Sequence, residues 1–327
     1  MHKTIYALPL AIIAASVLFG CGGDDNAVFN SGSGGSGDDG SGGSGDGGTG
    51  GSGNSSGSGG DWGHTDGGSG GGTGGNGGTD SGRYGYVTLT QSKADYGTGI
   101  NYSHYAWASF TEIVTPGSYD CDIKSDGPCT ITRCTTGSTI ATFEYRNAGQ
   151  ILITGGNKPV TLEFDHATGN YAYVTAQELL WSDGATLNVS AAGAEVSAFS
   201  TSVSGVAQAR LTSPAYPGAG SMLEVGAGKP FSLQWLGANT GKITVSFTWN
   251  AEPQSTSISC VFDASSGSGT IPASAMGMFT AGQTGTGSVM GGDTKIVDVP
   301  GWNVSVYTRM MAAHTNGVLA AWQVAYK

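Results

Sequence analysis

Residues 231–249 read FSLQWLGANTGKITVSFTW, and apolar side chains recur at every second position on both sides of the segment from Gly237 to Gly241. A period of two is typical of a β-strand that buries one face. The same period, interrupted by turn-forming residues about every 8–12 positions, continues through most of the chain from Tyr84 to Lys327. The pattern predicts strands at Tyr86–Gln91, Tyr105–Ile113, Cys129–Arg133, Thr142–Arg146, Gln150–Thr154, Val160–Asp165, Tyr171–Ala176, Thr186–Ser190, Arg210–Thr212, Phe231–Leu236, Lys242–Asn250, Ser257–Asp263, Lys295–Val299, Asn303–Met311 and Val318–Tyr326.

These segments predict an all-β fold of antiparallel strands. Fifteen strands are more than one sandwich of the immunoglobulin kind contains, so we expect one or two β-sandwich domains, divided into residues 84–208 and 209–327. One short helix is predicted over Pro272–Phe279, because a proline stands at its start and a glycine follows its end. The pair Asn316-Gly317 favours a tight turn and predicts that the last two strands form a hairpin.

Glycine is concentrated in one segment of the chain. Of the 59 glycines, 27 fall among the 53 residues from Ser31 to Arg83, where most other residues are Ser, Asp, Thr or Asn. Such a segment has too few apolar side chains to offset the entropy lost when its backbone is ordered. Residues 21–83 are therefore predicted to be a disordered tether, and 53 residues of this composition span roughly 40 Å on average.

The first twenty residues have the pattern of an export signal. Lys3 precedes an apolar run from Ile5 to Leu18, which is shorter than the ~20 residues that a bilayer-spanning helix needs. The end of the run, Leu18-Phe19-Gly20-Cys21, resembles the bacterial lipoprotein signal, although Phe19 stands where that signal usually has a small residue. The alternative is a conventional secretory signal cut near Ala15 or Gly20, which would leave Cys21 as a spare thiol.

The resemblance to a lipoprotein implies a signal peptide at 1–20 and a lipid anchor at Cys21. That cysteine would carry a diacylglyceryl group and an N-acyl chain such as palmitate, and two or more acyl chains anchor a protein stably. Gly22 occupies the sorting position at which Asp signals retention in the inner membrane. The resemblance therefore implies a protein of the cell envelope, with the outer membrane favoured and the head facing the periplasm or the surface.

The second half of the chain resembles an immunoglobulin-like domain in layout. Ile258-Ser-Cys-Val-Phe-Asp-Ala264, with the Gly-Ser-Gly-Thr-Ile-Pro that follows at 267–272, is also similar to glycine-tethered bacterial lipoproteins. The resemblance covers most of residues 84–327. It implies an immunoglobulin-like β-sandwich head and brings no activity or site residues with it.

Four cysteines lie in the predicted head: Cys121, Cys129, Cys134 and Cys260. An even number in an exported protein predicts two structural disulfides, and three pairings are possible. We favour Cys121–Cys129, closing a turn, with Cys134–Cys260 across the fold. The paired C-x-x-C spacing of a tetrahedral metal site is absent, so we expect these cysteines to bind no metal.

Charge excludes one class of partner. The formal net charge is −11, and residues 84–327 hold 16 acidic and 11 basic side chains. No run of Lys or Arg is available to neutralise phosphates, so nucleic acid is not an expected partner.

Few residues of the predicted head suggest a catalytic, ligand-binding or metal-binding site. The head has three histidines, of which His166 follows Asp165 in a short polar patch that could face a ligand or form an ordinary turn. His314 is expected to be solvated beside the Asn316-Gly317 turn. The acidic residues between 120 and 126 do not have the spacing of a calcium-binding EF-hand loop.

Tryptophans are the other candidates for ligand contact. Most of the six in the head are expected in the core. Trp181 lies in the loop-like segment Leu180-Trp-Ser-Asp-Gly184 and is the one expected to be exposed and to face a ligand.

We therefore expect no catalytic residues, no cofactor and no metal. The favoured function is a lipid-anchored envelope protein whose non-catalytic head binds, adheres or has a structural role, with the membrane and either a polysaccharide or a protein as partners. The alternative is a polysaccharide-binding module, which should have an exposed coplanar pair of aromatic residues on one sheet face. A third hypothesis, an envelope hydrolase, requires a histidine within hydrogen-bond reach of both a carboxylate and a Ser or Thr.

Overall fold

Nearly all regular structure in the described part of the chain is β-strand. The computed structural model describes residues 82–95, 97, 99–115, 119–137, 142–171, 174–176 and 178–327. The predicted signal, Cys21 and the tether up to residue 81 lie outside these residues. The strands are β1 (Arg83–Asp95), β2 (Ile100–Thr115), β3 (Tyr119–Asp126), β4 (Cys129–Thr136), β5 (Thr142–Tyr145), β6 (Ile151–Thr154), β7 (Val160–Leu162), β8 (Phe164–Asp165), β9 (Asn170–Tyr171), β10 (Val174–Ala176), β11 (Thr186–Ala191), β12 (Phe199–Ser204), β13 (Arg210–Ser213), β14 (Leu223–Val225), β15 (Phe231–Leu236), β16 (Lys242–Ala251), β17 (Gln254–Asp263), β18 (Ser268–Ile271), β19 (Thr284–Val299), β20 (Trp302–Met311), β21 (Ala313–His314) and β22 (Ala321–Tyr326).

One large sheet organises the molecule. It has twelve strands, with the central order β10-β2-β1-β20-β19-β16-β17-β4-β3, and β5, β14 and β22 join beside this path. Two four-stranded sheets, β12-β11-β6-β7 and β18-β15-β13-β21, and the short pair β8-β9 complete the fold. Most neighbours are antiparallel, whereas β1 pairs in parallel with β20.

Two hydrophobic cores lie side by side along this large sheet. In the first core, side chains of β1, β2 and β20 pack with those of β6, β7, β11 and β12, including Phe110, Leu187 and Val304. In the second core, side chains of β16, β17 and β22 pack with those of β13, β15 and β18, including Leu233 and Phe247. The result is two β-sandwiches that share one sheet. The predicted all-β class with antiparallel sandwich packing is confirmed.

The chain passes from the first core to the second near the predicted boundary between residues 208 and 209. The first core includes Val206 and the second includes Ala209. Each core also takes strands from the other side of that point, because β20 contributes Val304 to the first and β4 contributes Ile131 to the second. The division into two domains at residue 208 stays a prediction.

The predicted helix is present as one turn, α1 (Ala273–Met276), with Pro272 at its N-cap. The predicted hairpin of the last two long strands is wrong. β20 pairs with Met290–Val299 of β19 and β22 pairs with Thr284–Ser288, so the two strands lie end to end along β19. The tight turn itself forms, since the amide of His314 donates to the carbonyl of Val318 over 2.7 Å.

All four head cysteines form disulfides, as predicted, but the favoured pairing is wrong. The bonds are Cys121–Cys134 and Cys129–Cys260. The register explains this outcome, because Cys121 lies directly opposite Cys134 in the β3–β4 pair. Cys129 lies opposite Asp126 beside the turn and, on the other edge of β4, opposite Cys260 of β17.

Candidate functional site

The prediction that Trp181 is exposed and faces a ligand is wrong. Its side chain is 0% exposed and belongs to the first core. The indole Nε1 donates to the carbonyl of Val206 over 3.1 Å, and the backbone N–H donates to Oε1 of Gln91 over 3.3 Å. Within the irregular segment 180–184, Leu180 and Trp181 are folded inward, whereas residues 182–184 are exposed.

Asp165 and His166 lie at the exposed β8–β9 turn. Asp165 accepts hydrogen bonds from the amide of Ala167 (2.8 Å) and the hydroxyl of Thr168 (3.0 Å). These bonds lower the pKa of the Asp165 carboxyl, and the charge of His166 adds a smaller effect in the same direction. The imidazole of His166 packs edge-on against Phe164. The geometry is that of a turn, and a ligand-facing role for the pair stays a prediction.

The other two histidines are buried. His104 is 5% exposed, and burial lowers its pKa, with the charge of Glu178 acting in the opposite direction. His314 is 2% exposed, so the prediction that it is solvated is wrong. Its Nε2 accepts a hydrogen bond from the indole of Trp322 over 2.9 Å. Burial lowers the pKa of His314, while the carbonyl of Pro214 opposes that shift.

Metal ligands do not gather anywhere within the described ranges: no group of three or more His, Cys, Asp and Glu side chains could hold an ion. Two acids of the 120–126 segment have other partners. Asp122 pairs with Lys124, and Asp126 accepts a hydrogen bond from the hydroxyl of Ser274. Within the same described ranges, no helix has both the length and the apolar character needed to span a bilayer.

A set of aromatic residues lies on the large sheet, on the face opposite the first core. Alternation along β1, β2 and β20 directs Val87, Ala106 and Val306 into the core. The intervening residues therefore point to the other face, and the large side chains among them are partly exposed. This surface, called here the tyrosine face, consists of Tyr86, Tyr105, Trp107, Tyr307 and Arg309.

The tyrosine face has a defined geometry. The rings of Tyr86 and Tyr307 lie 6.3 Å apart, centroid to centroid, with an interplanar angle of 25°. The guanidinium of Arg309 lies 5.0 Å from the centroid of the Tyr307 ring, which is within range of a cation–π interaction. Two nearly parallel rings flanked by a cation therefore stand on one sheet face.

Threonines form the floor between these side chains. Thr88 pairs across the sheet with Trp107 on one side and Tyr307 on the other, and Thr90 pairs likewise with Tyr105 and Arg309. Both threonines are buried, at 7% and 6% exposed. The small floor residues leave the larger rings standing above them.

This surface was not predicted from the sequence, where tryptophans were the aromatic candidates for ligand contact. The signal was present in Tyr-x-Thr-x-Thr at residues 86–90 and in Tyr-x-Arg at 307–309, on strands whose alternate residues are apolar. It could not be read as one surface, since the pairing of β1 with β20 joins segments more than 200 residues apart.

Comparison with known proteins gives no family. No family model matches the chain, and no curated protein does. Among solved structures, the titin Ig tandem domains A164-A165 are similar over 58% of this chain and 99% of that one, at 12% identity and a TM-score of 0.14. A TM-score of this size has no bearing on the fold or the function.

Proposed function

We propose that this protein is a lipid-anchored component of the cell envelope whose β head binds a partner and performs no chemistry. Two observations support this location in the cell envelope. The sequence around Cys21 resembles a lipoprotein signal, and the two disulfides are compatible with an oxidising compartment. The predicted tether would hold the head at a distance from an outer-membrane anchor.

The observation that carries a binding role is the tyrosine face. Partly exposed aromatic side chains combine a large apolar surface with a polar tip, and such residues are enriched at binding surfaces. The face lies on paired strands and not on loops, so its side chains are held in fixed relative positions. A rigid scaffold of this kind favours recognition of an extended partner.

Polysaccharide is one candidate for that partner, because flat aromatic rings contact the apolar C–H faces of sugar rings. The rings of Tyr86 and Tyr307 are stacked with each other, with 6.3 Å between their centroids and 25° between their planes. This arrangement differs from the coplanar pair that a polysaccharide-binding module should have. Such a module is therefore the second candidate function, and it is a special case of the first.

The anchor is tested by processing. Globomycin should accumulate a precursor, and mass spectrometry of untreated cells should find an acylated Cys21 at the mature N-terminus. A Cys21→Ser variant should leave the membrane fraction. An unshifted precursor together with an unmodified cysteine would contradict the lipid anchor and favour a conventional secretory signal.

Binding is tested with envelope polysaccharides on a glycan array and by affinity electrophoresis of the full-length protein. Tyr307→Ala and Tyr86→Ala should each weaken retention about tenfold, corresponding to ~1.4 kcal/mol. Tyr145→Ala is the matched control, because Tyr145 is 46% exposed and lies outside the pair. Retention that is insensitive to both face variants would contradict a role for this surface, and silence on every glycan would leave a protein as the expected partner.

A further inference from the structure

A cavity of about 190 Å³ is lined by charged, polar and apolar residues, none of which belongs to the tyrosine face. Three segments supply most of its walls: the end of β1 at Lys93–Asp95, the start of β13 with Gln208 before it, and the turn at 313–317. Ile100 at the start of β2 completes the lining. Sequence analysis assigned these segments no role beyond strand and turn.

Hydrogen bonds fix the three segments to one another. The side chain of Gln208 donates to the carbonyl of Lys93 (2.8 Å) and to that of Met311 (2.9 Å). The amide of Asp95 donates to the carbonyl of Gly317 over 2.9 Å. At Gly317, where φ is +85°, an added Cβ would stand only 2.7 Å from the Cβ of Asp95. The cavity is therefore built into the fold and does not depend on a loop closing over it.

The charges that line the cavity are unbalanced. Lys93 and Arg210 both line it, and neither forms an ion pair with any described carboxylate. The ammonium of Lys93 lies 5.9 Å from the centroid of the Tyr102 ring. Asp95 supplies the one carboxylate of the lining, and its Oδ1 already accepts a hydrogen bond from the amide of Gly97. Two basic residues therefore stand against one acidic residue among the lining residues, in a head with an excess of acidic residues.

One neutral polar group of the lining also presents a donor. Oδ1 of Asn316 accepts from the amide of Val318 (3.2 Å), which leaves its NH₂ group available to donate. His314 adds no donor of this kind, because its Nε2 accepts from the indole of Trp322 and the carbonyl of Pro214 interacts with the imidazole as well.

We infer that this cavity binds a small oxyanion, a carboxylate or a phosphate group, through Arg210 and Lys93. A guanidinium matches the two oxygens of either group, and an ammonium adds a second charge-assisted contact. The volume accommodates an anionic group and a few attached atoms, as in the acidic end of a sugar acid. The inference does not depend on the tyrosine face or on the proposed function.

Titration calorimetry of the full-length protein at low ionic strength tests the site with glucuronate, glucose and inorganic phosphate as probes. Glucuronate should bind with a Kd on the order of 1 mM and glucose should not. Arg210→Gln should weaken binding at least about tenfold and Lys93→Gln should weaken it less. Lys229→Gln, which alters an exposed lysine outside the cavity, should leave it unchanged.

Comparison of glucuronate with phosphate shows whether the bound oxyanion is a carboxylate or a phosphate. Phosphate binding that depends on Arg210, without glucuronate binding, would support the site and identify free phosphate as its ligand. Binding of neither anion, equal binding of glucose and glucuronate, or binding that is insensitive to Arg210→Gln would overturn the inference. Tyr307→Ala should not affect these titrations, so failure here is distinguishable from failure of the tyrosine face.

Discussion

Cys129 of β4 and Cys260 of β17 lie directly opposite each other, with 3.9 Å between their Cα atoms, and form a disulfide that closes a sequence separation of 131 residues. Both side chains are buried in the second core. The bond therefore ties a strand from the first half of the chain into the core built by the second half.

This relationship predicts unequal contributions from the two disulfides. Closing a longer loop removes more entropy from the unfolded chain, so Cys129→Ala/Cys260→Ala should cost about 4–5 kcal/mol. Cys121→Ala/Cys134→Ala, whose separation is 13 residues, should cost about 3 kcal/mol. Denaturant unfolding of both double variants under non-reducing conditions measures the difference. Equal losses would contradict the loop-length argument.

Substitution of Trp181 should lower the free energy of unfolding and should leave ligand binding unchanged. Its side chain is fully buried, so Trp181→Ala should reduce the free energy of unfolding by about 3–5 kcal/mol. Trp181→Phe keeps most of the apolar contact and loses the hydrogen bond to Val206, at about 1 kcal/mol plus the cost of the smaller ring.

The control for this series is Tyr145→Ala, an exposed aromatic that should cost less than about 1 kcal/mol. Folded Trp181→Phe protein should bind any ligand of the tyrosine face as well as the wild type does. A Trp181→Phe variant that is as stable as wild type but defective in binding would contradict this interpretation and support contact between Trp181 and a ligand.

The period-two pattern predicted the fold class well because burial of alternate residues is a local property of the sequence. It failed for β19, where only Lys295–Val299 was predicted and the strand begins at Thr284. Glycines at 285, 287, 291 and 292 stand in that stretch and leave those positions without side chains that could show the alternation. In the fold, Gly287 lies opposite Phe247 and an added Cβ would stand 2.8 Å from that ring, so the absence of a side chain is required for packing.

The pairing of strands that are distant in sequence could not be predicted, for a different reason. The hairpin prediction and the favoured disulfide pairing both assumed that neighbours in sequence are neighbours in the sheet. Register between distant strands depends on how whole faces pack. The tyrosine face arises in the same way, since β1 and β20 become adjacent only in the folded sheet.

Two glycines separate backbone strain from steric collision. Gly155 and Gly184 have similar positive φ values, +86° and +79°, but an added Cβ at 155 would stand 2.0 Å from the carbonyl oxygen of Thr186, whereas nothing lies within 4 Å at 184. Gly184→Ala should therefore cost about 1–2 kcal/mol from the left-handed backbone alone. Gly155→Ala should cost about 3 kcal/mol or more, because forced overpacking adds to the same strain. Thermal unfolding of both variants tests this, and equal costs would show that the sheet yields at residue 155.

Glu112 should make stability depend on pH in the acid range. Its Oε1 accepts hydrogen bonds from Nε (3.0 Å) and Nη2 (2.9 Å) of Arg83, and its Oε2 accepts one from Nε of Arg146 (2.9 Å). The bonds from Arg83 lower the pKa of the Glu112 carboxyl most, followed by the bond from Arg146. A folded-state pKa below the unfolded value gives stabilisation that is complete above the unfolded pKa and is lost as pH falls through the folded pKa.

Glu112→Gln should accordingly destabilise the protein by about 1 kcal/mol at pH 7, a modest value because the carboxyl is partly exposed to solvent. The difference from wild type should shrink as pH falls below about 4, because both carry a neutral side chain there. Glu252→Gln, at an exposed position in the β16–β17 turn, is the matched control and should show no such convergence. Urea unfolding at a series of pH values measures all three proteins. A Glu112→Gln deficit that stays constant from neutral to acid pH would mean that the side chain stabilises the fold by packing and not by its charge.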